Sequence, residues 1–224
     1  MREHHKNLSS KVAACGASVI GMILFGSVSA GTIIGSAHDF SSKGWSPDSQ
    51  ICVACHTPHN ADISVTDAPL WNHAVTTKVF DLYDSPTFDG SSTITQPTGS
   101  SVLCLSCHDG TVAIDSFGGI SGSVFMQGKK AVGADELTND HPISFTYDTS
   151  LAETDGALWD PASTEVVVGG GDKTKTGLIS DVMLANNQLQ CSSCHDVHNN
   201  FVADHPLLKV TKTESQLCLT CHDK

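Results

Sequence analysis

Residues 191–195 read Cys-Ser-Ser-Cys-His, two cysteines separated by two residues and followed directly by a histidine. The same pattern, C-x-x-C-H, occurs three more times in the chain of 224 residues. Its cysteines are Cys52, Cys55, Cys104, Cys107, Cys191, Cys194, Cys218 and Cys221, and the histidines after them are His56, His108, His195 and His222. Since only Cys15 stands outside the pattern, the cysteines form a fourfold motif.

C-x-x-C-H is the attachment signature of c-type haem. Two thiols at this spacing reach the two vinyl groups of one porphyrin, and the next residue lies beneath the ring, where an imidazole nitrogen binds iron. Disulfide frameworks, zinc ribbons and thioredoxin-like pairs also use paired cysteines, but none needs histidine next, four times in four. With 12 histidines in 224 positions, chance gives this about once in 100,000 trials. The motifs therefore predict four covalently attached haem c groups.

The other histidines indicate how each iron is coordinated. Six remain after the four motif histidines and the two at the start of the chain: His38, His59, His73, His141, His198 and His205. Met126 and Met183, the methionines beyond residue 30, do not adjoin a motif. Bis-histidine ligation, which gives low-spin haems of low potential, is the simplest interpretation.

Spacing restricts two of these histidines. His59 and His198 each follow a motif histidine by three residues, a span of at most about 10 Å. That is too short to pass round the macrocycle to its opposite face. If they are ligands, they bind a different haem, through a crossover within each haem pair or in an adjoining subunit. Non-ligating surface histidines are the alternative.

Residues 1–30 are predicted to be a secretory signal. Arg2, Lys6 and Lys11 precede an apolar run, and Val28-Ser29-Ala30 is a small-residue cleavage site. A retained transmembrane anchor and acylation at Cys15 are the alternatives. Removal of this segment leaves no arginine and a formal charge of −14, from 9 basic and 23 acidic side chains. Nucleic acid is therefore excluded as a partner, whereas cationic partners such as metal ions suit the surface.

The motif positions predict one tetrahaem domain over residues 31–224. Haem-pair modules at about 38–110 and 188–224 are joined by a Gly/Ser/Thr-rich middle segment. We expect a multihaem cytochrome c fold, mostly irregular coil with short helices and a few short strands, wrapped around four haems. Short helical turns are predicted over Pro47–His56 and Glu214–His222, and a strand entering a hairpin at Val166–Val168. Haems would supply the apolar bulk that 6% aromatic residues do not.

Resemblance to known proteins adds a more specific expectation. Residues 191–222 resemble the doubled C-x-x-C-H module of multihaem cytochromes. The segments that carry a wider resemblance are Ala37-His38-Asp39-Phe40-Ser41, Cys55-His56-Thr57-Pro58-His59-Asn60, Pro69-Leu70-Trp71-Asn72-His73, Cys107-His108-Asp109-Gly110-Thr111, Asp140-His141-Pro142 and Cys194-His195-Asp196-Val197-His198. In this order they resemble the tetrahaem outer-surface cytochromes of metal-reducing bacteria, which polymerise into filaments. The resemblance implies sixth ligands at His38, His59, His141 and His198, with His73 in reserve and His205 as a non-ligand.

The predicted function is electron transfer without substrate chemistry, so we do not expect an enzyme. The resemblance implies a secreted protein at the outer cell surface that forms a head-to-tail homopolymer. It also implies other multihaem cytochromes or extracellular metal oxides as electron acceptors, and no membrane span after cleavage. A soluble periplasmic shuttle and a reductase of a small nitrogen oxide are the alternatives, although the reductase needs an open iron position. Asp109, Asp196 and Asp223, which each follow a motif histidine, are interpreted as solvated acids and not as groups that tune the ligands.

Overall fold

The computed structural model describes residues 33–65, 67–132, 136–170, 173–198 and 207–224. The predicted signal over residues 1–30, Cys15 and His205 lie outside these ranges. Most of the described chain is irregular, with short helices and strands, as expected from the sequence. No helix within these ranges is long and apolar enough to cross a membrane.

The α-helices are short, and three of them carry C-x-x-C-H cysteines. They are α1 (Gly99–His108), α2 (Thr149–Asp155), α3 (Ile179–Val182), α4 (Cys191–Cys194) and α5 (Gln216–Leu219). Single 3₁₀ turns occupy Pro47–Ser49, Asp89–Thr93, Gly128–Lys130 and Thr213–Ser215. The first and last of these turns, and α5, lie within or beside the segments predicted to form helical turns.

Two antiparallel pairs of short strands occur in the described residues. Strands β2 (Glu165–Val168) and β3 (Lys175–Leu178) form a hairpin, which confirms the strand predicted at Val166–Val168. Strand β1 (Phe145–Thr146) pairs with β4 (Gln188–Leu189), with Phe145 opposite Leu189. This second pair ties the middle segment to the residues that immediately precede the third motif.

Local sequence explains where α1 and α2 end. Asp148 caps α2 by accepting a hydrogen bond from the Leu151 N–H at 3.0 Å, and Gly156 ends it in the left-handed region with φ 69°. Helix α1 is followed by Gly110 with φ +71°. A Cβ at Gly110 would lie 3.2 Å from the Met126 carbonyl, so glycine lets the chain turn tightly after the second motif.

The main side-chain core lies in the middle segment, which the sequence suggested only as a connection between haem pairs. Its buried members are Phe145, Tyr147, Ala152, Val168, Ile179, Met183, Leu189 and Val210. The Tyr147 hydroxyl donates to the Trp159 carbonyl, and the Trp159 N–H donates to the Cys221 carbonyl at 2.8 Å. The core therefore supports the fourth motif directly.

Candidate haem-attachment sites

Each C-x-x-C-H motif forms a tight helical turn. The histidine N–H donates to the carbonyl of the first cysteine in three of them, at 2.8 Å for His56, 3.1 Å for His195 and 3.0 Å for His222. The second motif lies at the end of α1, where the same bonding pattern continues. Such a turn brings residues three and four positions apart onto one side, so both thiols and the imidazole can address one porphyrin.

The eight cysteines are all free thiols in the structure. No disulfide joins these eight cysteines in the described residues. Among the described residues no three His, Cys, Asp or Glu side chains converge as a metal-ion site. The chemistry of the donor set, two thiols and an adjacent imidazole on one turn, fits covalent haem attachment.

Three pairs of imidazole rings, here called facing pairs, have closely spaced centres, with interplanar angles of 53° for His38–His108, 16° for His56–His198 and 70° for His141–His222. The ring centroids of His38 and His108 are 6.1 Å apart, those of His56 and His198 are 6.4 Å apart, and those of His141 and His222 are 6.4 Å apart. Each pair joins one motif histidine to one histidine predicted as a sixth ligand.

These separations match the requirement of a bis-imidazole iron. Metal–imidazole bonds are about 2.0–2.1 Å long, and with the nitrogen roughly 1.1 Å from its ring centre, opposed rings have centroids about 6.3 Å apart. His198 faces His56 of the first module and not the histidine of its own motif, consistent with the limit set by three residues of chain. The pair brings together one histidine from each module, whereas the sequence suggested for His198 a crossover within one haem pair or a haem of an adjoining subunit.

Backbone carbonyls orient several of these imidazoles. Nδ1 of His56 lies 2.7 Å from the Pro69 carbonyl, Nδ1 of His108 lies 2.6 Å from the Lys130 carbonyl, and Nδ1 of His141 lies 3.0 Å from the Pro142 carbonyl. With the proton on Nδ1 donated to a carbonyl, Nε2 is the free acceptor that a metal requires. No local pattern in the sequence indicated Pro69 or Lys130, because both carbonyls come from loops distant along the chain.

Desolvation lowers the pKa of two of the histidines, His38 and His195. It lowers the pKa of His38 to about 4, and electrostatic interaction with the imidazoles of His108, His195 and His198 adds to this shift. Burial also lowers the pKa of His195, while a hydrogen bond to the Leu207 carbonyl acts in the opposite direction. Neutral imidazole is the form that ligates iron.

His59 and His195 stand in no facing pair within the described part of the chain. His59 is exposed on a turn in which the Thr57 hydroxyl donates to its carbonyl at 2.9 Å. His195 is the motif histidine of the third site. One motif imidazole and one predicted sixth ligand are thus left over.

His73, the reserve ligand, is buried. Its side chain is 4% exposed. Its Nδ1 lies 2.7 Å from the Ala74 carbonyl and its Nε2 lies 3.0 Å from the Ala113 carbonyl. Nε2 also lies 3.5 Å from the Cys107 thiol, so His73 adjoins the second attachment site, and its role as a reserve ligand stays a prediction.

The attachment cysteines follow one another through the fold in the order of the sequence. The thiol of Cys55 lies near that of Cys107: burial raises the pKa of Cys107 to about 12, and Cys55 adds to the shift. The Cys104 and Cys191 thiols are close enough for each to shift the pKa of the other, upward for Cys104 and downward for Cys191. Burial raises the pKa of Cys221 to about 12, and neighbouring Cys194 contributes. The four sites therefore form a continuous series.

Contacts between α1 and α4 hold the centre of this series. Their serine hydroxyls, Ser100 and Ser192, are 2.6 Å apart. The Cys191 N–H donates to the Ser101 hydroxyl at 2.9 Å, and Ser101 is fully buried. Small polar side chains thus allow the helices of the second and third motifs to pack closely.

The acids that follow motif histidines differ in environment, so the interpretation of all three as solvated is wrong. Asp109 is 2% exposed and accepts hydrogen bonds from Thr76 and Thr111. Asp196 lies partly buried with its Oδ1 3.5 Å from Nδ1 of His198. Asp223 is exposed, as expected.

Comparison with known proteins identifies one segment. The model of the family described as "Doubled CXXCH motif" matches residues 184–224, which include the third and fourth motifs. No curated protein and no solved structure matches the chain significantly. The C-terminal segment is thus similar to a doubled CXXCH module, and the four cysteine pairs of the chain are consistent with a multihaem c-type cytochrome, a class that binds haem covalently and transfers electrons.

Proposed function

We propose that the chain is a conduit for electrons that carries four covalently bound haems, each held between two histidines, and that it polymerises into an extracellular filament. The observation that carries the proposal is the set of three facing imidazole pairs at 6.1–6.4 Å. The bound haems would supply one-electron ferric–ferrous chemistry at low potential. The chain contributes the ligands, the spacing of the sites and their shielding from water.

Each pair of histidines has a defined role in this proposal. His108, His56 and His222 are the proximal ligands, and His38, His198 and His141 are their sixth ligands. The pairing of His56 with His198 joins the first module to the second, so ligation also stabilises the tertiary fold. Trp71 packs edge-on against His56 at 6.3 Å, and its buried Nε1–H has no hydrogen-bond partner among the described residues. That donor is available to an acceptor group of the cofactor.

The order of the attachment cysteines supports a conduit. A series of neighbouring sites from the first motif to the fourth has two ends, one at each module. Charge transfer along such a series needs no substrate pocket. Multihaem cytochromes or extracellular metal oxides at either end would be the electron donors and acceptors. Secretion is part of the proposal because proteins with covalently attached c-type haem are generally exported.

The proposed subunit assembly is based on the two histidines that have no facing partner among the described residues. His195 needs a sixth ligand, and His59 is exposed, so we propose that His59 of one subunit ligates the iron bound by His195 of the next. The interface is head-to-tail and therefore propagates without closing into a ring. Ligation and polymerisation would then be the same event, and each subunit junction would contain a haem.

The test uses His59→Ala in the full-length, haem-loaded protein, with His205→Ala as the matched control. We expect His59→Ala to abolish filaments in negative-stain images and to leave one haem of four high-spin, while intact mass still shows four haems. Added imidazole should restore the low-spin spectrum of this variant without restoring filaments. His205→Ala should behave as the unmodified protein.

Two outcomes would redirect the proposal. High-spin haem in His205→Ala, with normal behaviour of His59→Ala, would assign His205 to the iron of His195 within the chain and remove the basis for the junction. The second candidate function is a reductase. One observation supports it: among the described residues His195 has no facing imidazole, and a catalytic metal site keeps an open position. It would require one persistent high-spin haem in the unmodified protein, together with nitrite or hydroxylamine turnover.

A further inference from the structure

Asp109 occupies the position directly after a motif histidine, as Asp196 and Asp223 do, yet its environment is different. Its side chain is 2% exposed, whereas Asp223 at the equivalent place in the fourth motif is exposed. The first motif has Thr57 at this position. The chain thus contains one buried and one exposed carboxylate at the same distance along the sequence from an iron ligand.

Neutral donors surround the Asp109 carboxylate. The Thr111 N–H donates to Oδ1 at 2.7 Å, and the Thr111 hydroxyl lies 2.9 Å from both carboxylate oxygens. The Thr76 hydroxyl donates to Oδ2. An ionised carboxylate can only accept hydrogen bonds, whereas a protonated carboxyl must also donate one. Each of these partners donates to Asp109, so the geometry suits the anion.

The backbone fixes this carboxylate beside the second site. The Asp109 N–H donates to the Leu105 carbonyl at 2.8 Å, which makes Asp109 the C-terminal cap of α1 immediately after His108. Gly110 then turns the chain in the left-handed region. The position of Asp109 relative to His108 is therefore set by the helix end and the turn.

Two opposite charges lie close to each other beside Asp109. Lys78 lines the same cavity as Asp109, and its ammonium lies 3.4 Å from the Glu136 carboxylate. The charge of Lys130, whose carbonyl lies 2.6 Å from Nδ1 of His108, acts on the second site in the opposite direction to Asp109 and is the same in every Asp109 variant. The field of Asp109 reaches the attachment atoms: burial and Cys55 raise the pKa of the Cys107 thiol to about 12, and Asp109 adds to that shift.

We propose that Asp109 is a buried anionic positioning residue that stabilises the ferric form of the iron bound by His108 and so lowers the reduction potential of this site below that of the site at His222. The proposal rests on the proposed function, since it requires haem at the second motif. A ferric bis-imidazole haem carries one more positive charge than its ferrous form. A fixed carboxylate in a region of low dielectric favours the more positive state, whereas an exposed one is screened. The resulting difference in reduction potential would place the sites in a defined energetic order along the conduit.

The experiment is a spectroelectrochemical titration of haem-loaded Asp109→Asn, with Asp223→Asn as the matched control. Asparagine keeps the shape of the side chain and removes its charge. We expect one of the four one-electron waves to move to higher potential, so that the ferric-to-ferrous ratio at its former midpoint falls at least tenfold, which corresponds to about 59 mV. The same wave should respond to His38→Ala, because both changes act on the iron of His108. In Asp223→Asn no wave should change this ratio by more than twofold.

A structural role alone predicts different results. Asp109→Glu retains the charge. The ferric-to-ferrous ratio of its wave, measured at the midpoint of the unmodified protein, should therefore stay within twofold. If Asp109→Asn does not accumulate, Asp109→Ser is the second neutral variant, and it should show the same upward shift. An unmoved wave in a folded neutral variant, or an equal shift in Asp223→Asn, would overturn the proposal. Intact mass separates this from failure of the proposed function, because a chain without haem at the second motif would lack one haem in every variant.

Discussion

Two regions of this chain bury apolar surface in different ways. Between residues 143 and 189, Tyr147, Ile179 and Met183 belong to a continuous side-chain core that includes the β2–β3 hairpin. Between residues 33 and 79, leaving out residue 66, the buried apolar side chains are Ala54 and Trp71. The first region has what an ordinary small domain needs, whereas the second has thiols, histidines and turns.

This difference indicates which part of the fold depends on the cofactor. Stability comes chiefly from apolar area removed from water. A region without a cluster of apolar side chains must obtain that area from another source, and a covalently bound porphyrin is such a source. We therefore expect residues 33–79 to be ordered by haem binding, and residues 143–189 to fold on their own side chains.

The largest effect should follow from removal of the first attachment site. In Cys52→Ala/Cys55→Ala, we expect amide hydrogen-exchange protection in residues 33–79 to fall to that of an unfolded chain, because the apolar surface provided by the cofactor is lost. Protection in residues 145–189 should persist. Hydrogen exchange read by mass spectrometry measures both regions in one sample. Equal loss of protection in the two regions would remove the distinction between them.

Replacement of a sixth ligand should produce a smaller, more local effect. His38→Ala and His141→Ala should each convert one haem of four to a five-coordinate, high-spin form, visible in the ferric absorption and resonance Raman spectra. The two variants should differ in stability. We expect His38→Ala to increase hydrogen exchange in residues 33–79, where ligation replaces packing, and His141→Ala to leave the core over residues 145–189 unchanged. An unchanged low-spin spectrum in either variant would exclude that residue as a ligand.

Truncation of one core side chain should have the smallest effect on the haems. Ile179 is fully buried, and Ile179→Ala should reduce the free energy of unfolding by about 2–5 kcal/mol, through lost burial and the cavity that remains. Ile63 is 94% exposed, so Ile63→Ala is the matched control and should change the free energy of unfolding by less than about 0.5 kcal/mol. Denaturant unfolding followed by far-ultraviolet circular dichroism measures both. A loss of haem from Ile179→Ala, with an unchanged free energy of unfolding, would contradict the distinction between a region ordered by haem and a region that folds on its own side chains.

The attachment chemistry could be predicted from the sequence, because a C-x-x-C-H motif acts within a single helical turn. Residues Cys191 to His195 form that turn from local hydrogen bonds, and nothing distant is needed to bring their side chains together. The hairpin at Val166–Val168 was likewise predictable from β-branched residues before glycines. The number of spare histidines also predicted that sixth ligands would come from within this protein.

Which histidines form facing pairs could not be predicted from the sequence, because it depends on how distant segments pack. The partner of His56 is His198 from the other module, and no local period in the sequence relates the two positions. The same is true of Asp109, whose burial depends on Thr76 from a distant loop, while Asp223 in the same motif context is exposed. A covalent motif is encoded by neighbours along the chain, whereas ligand pairing and burial depend on packing between segments that are far apart in sequence.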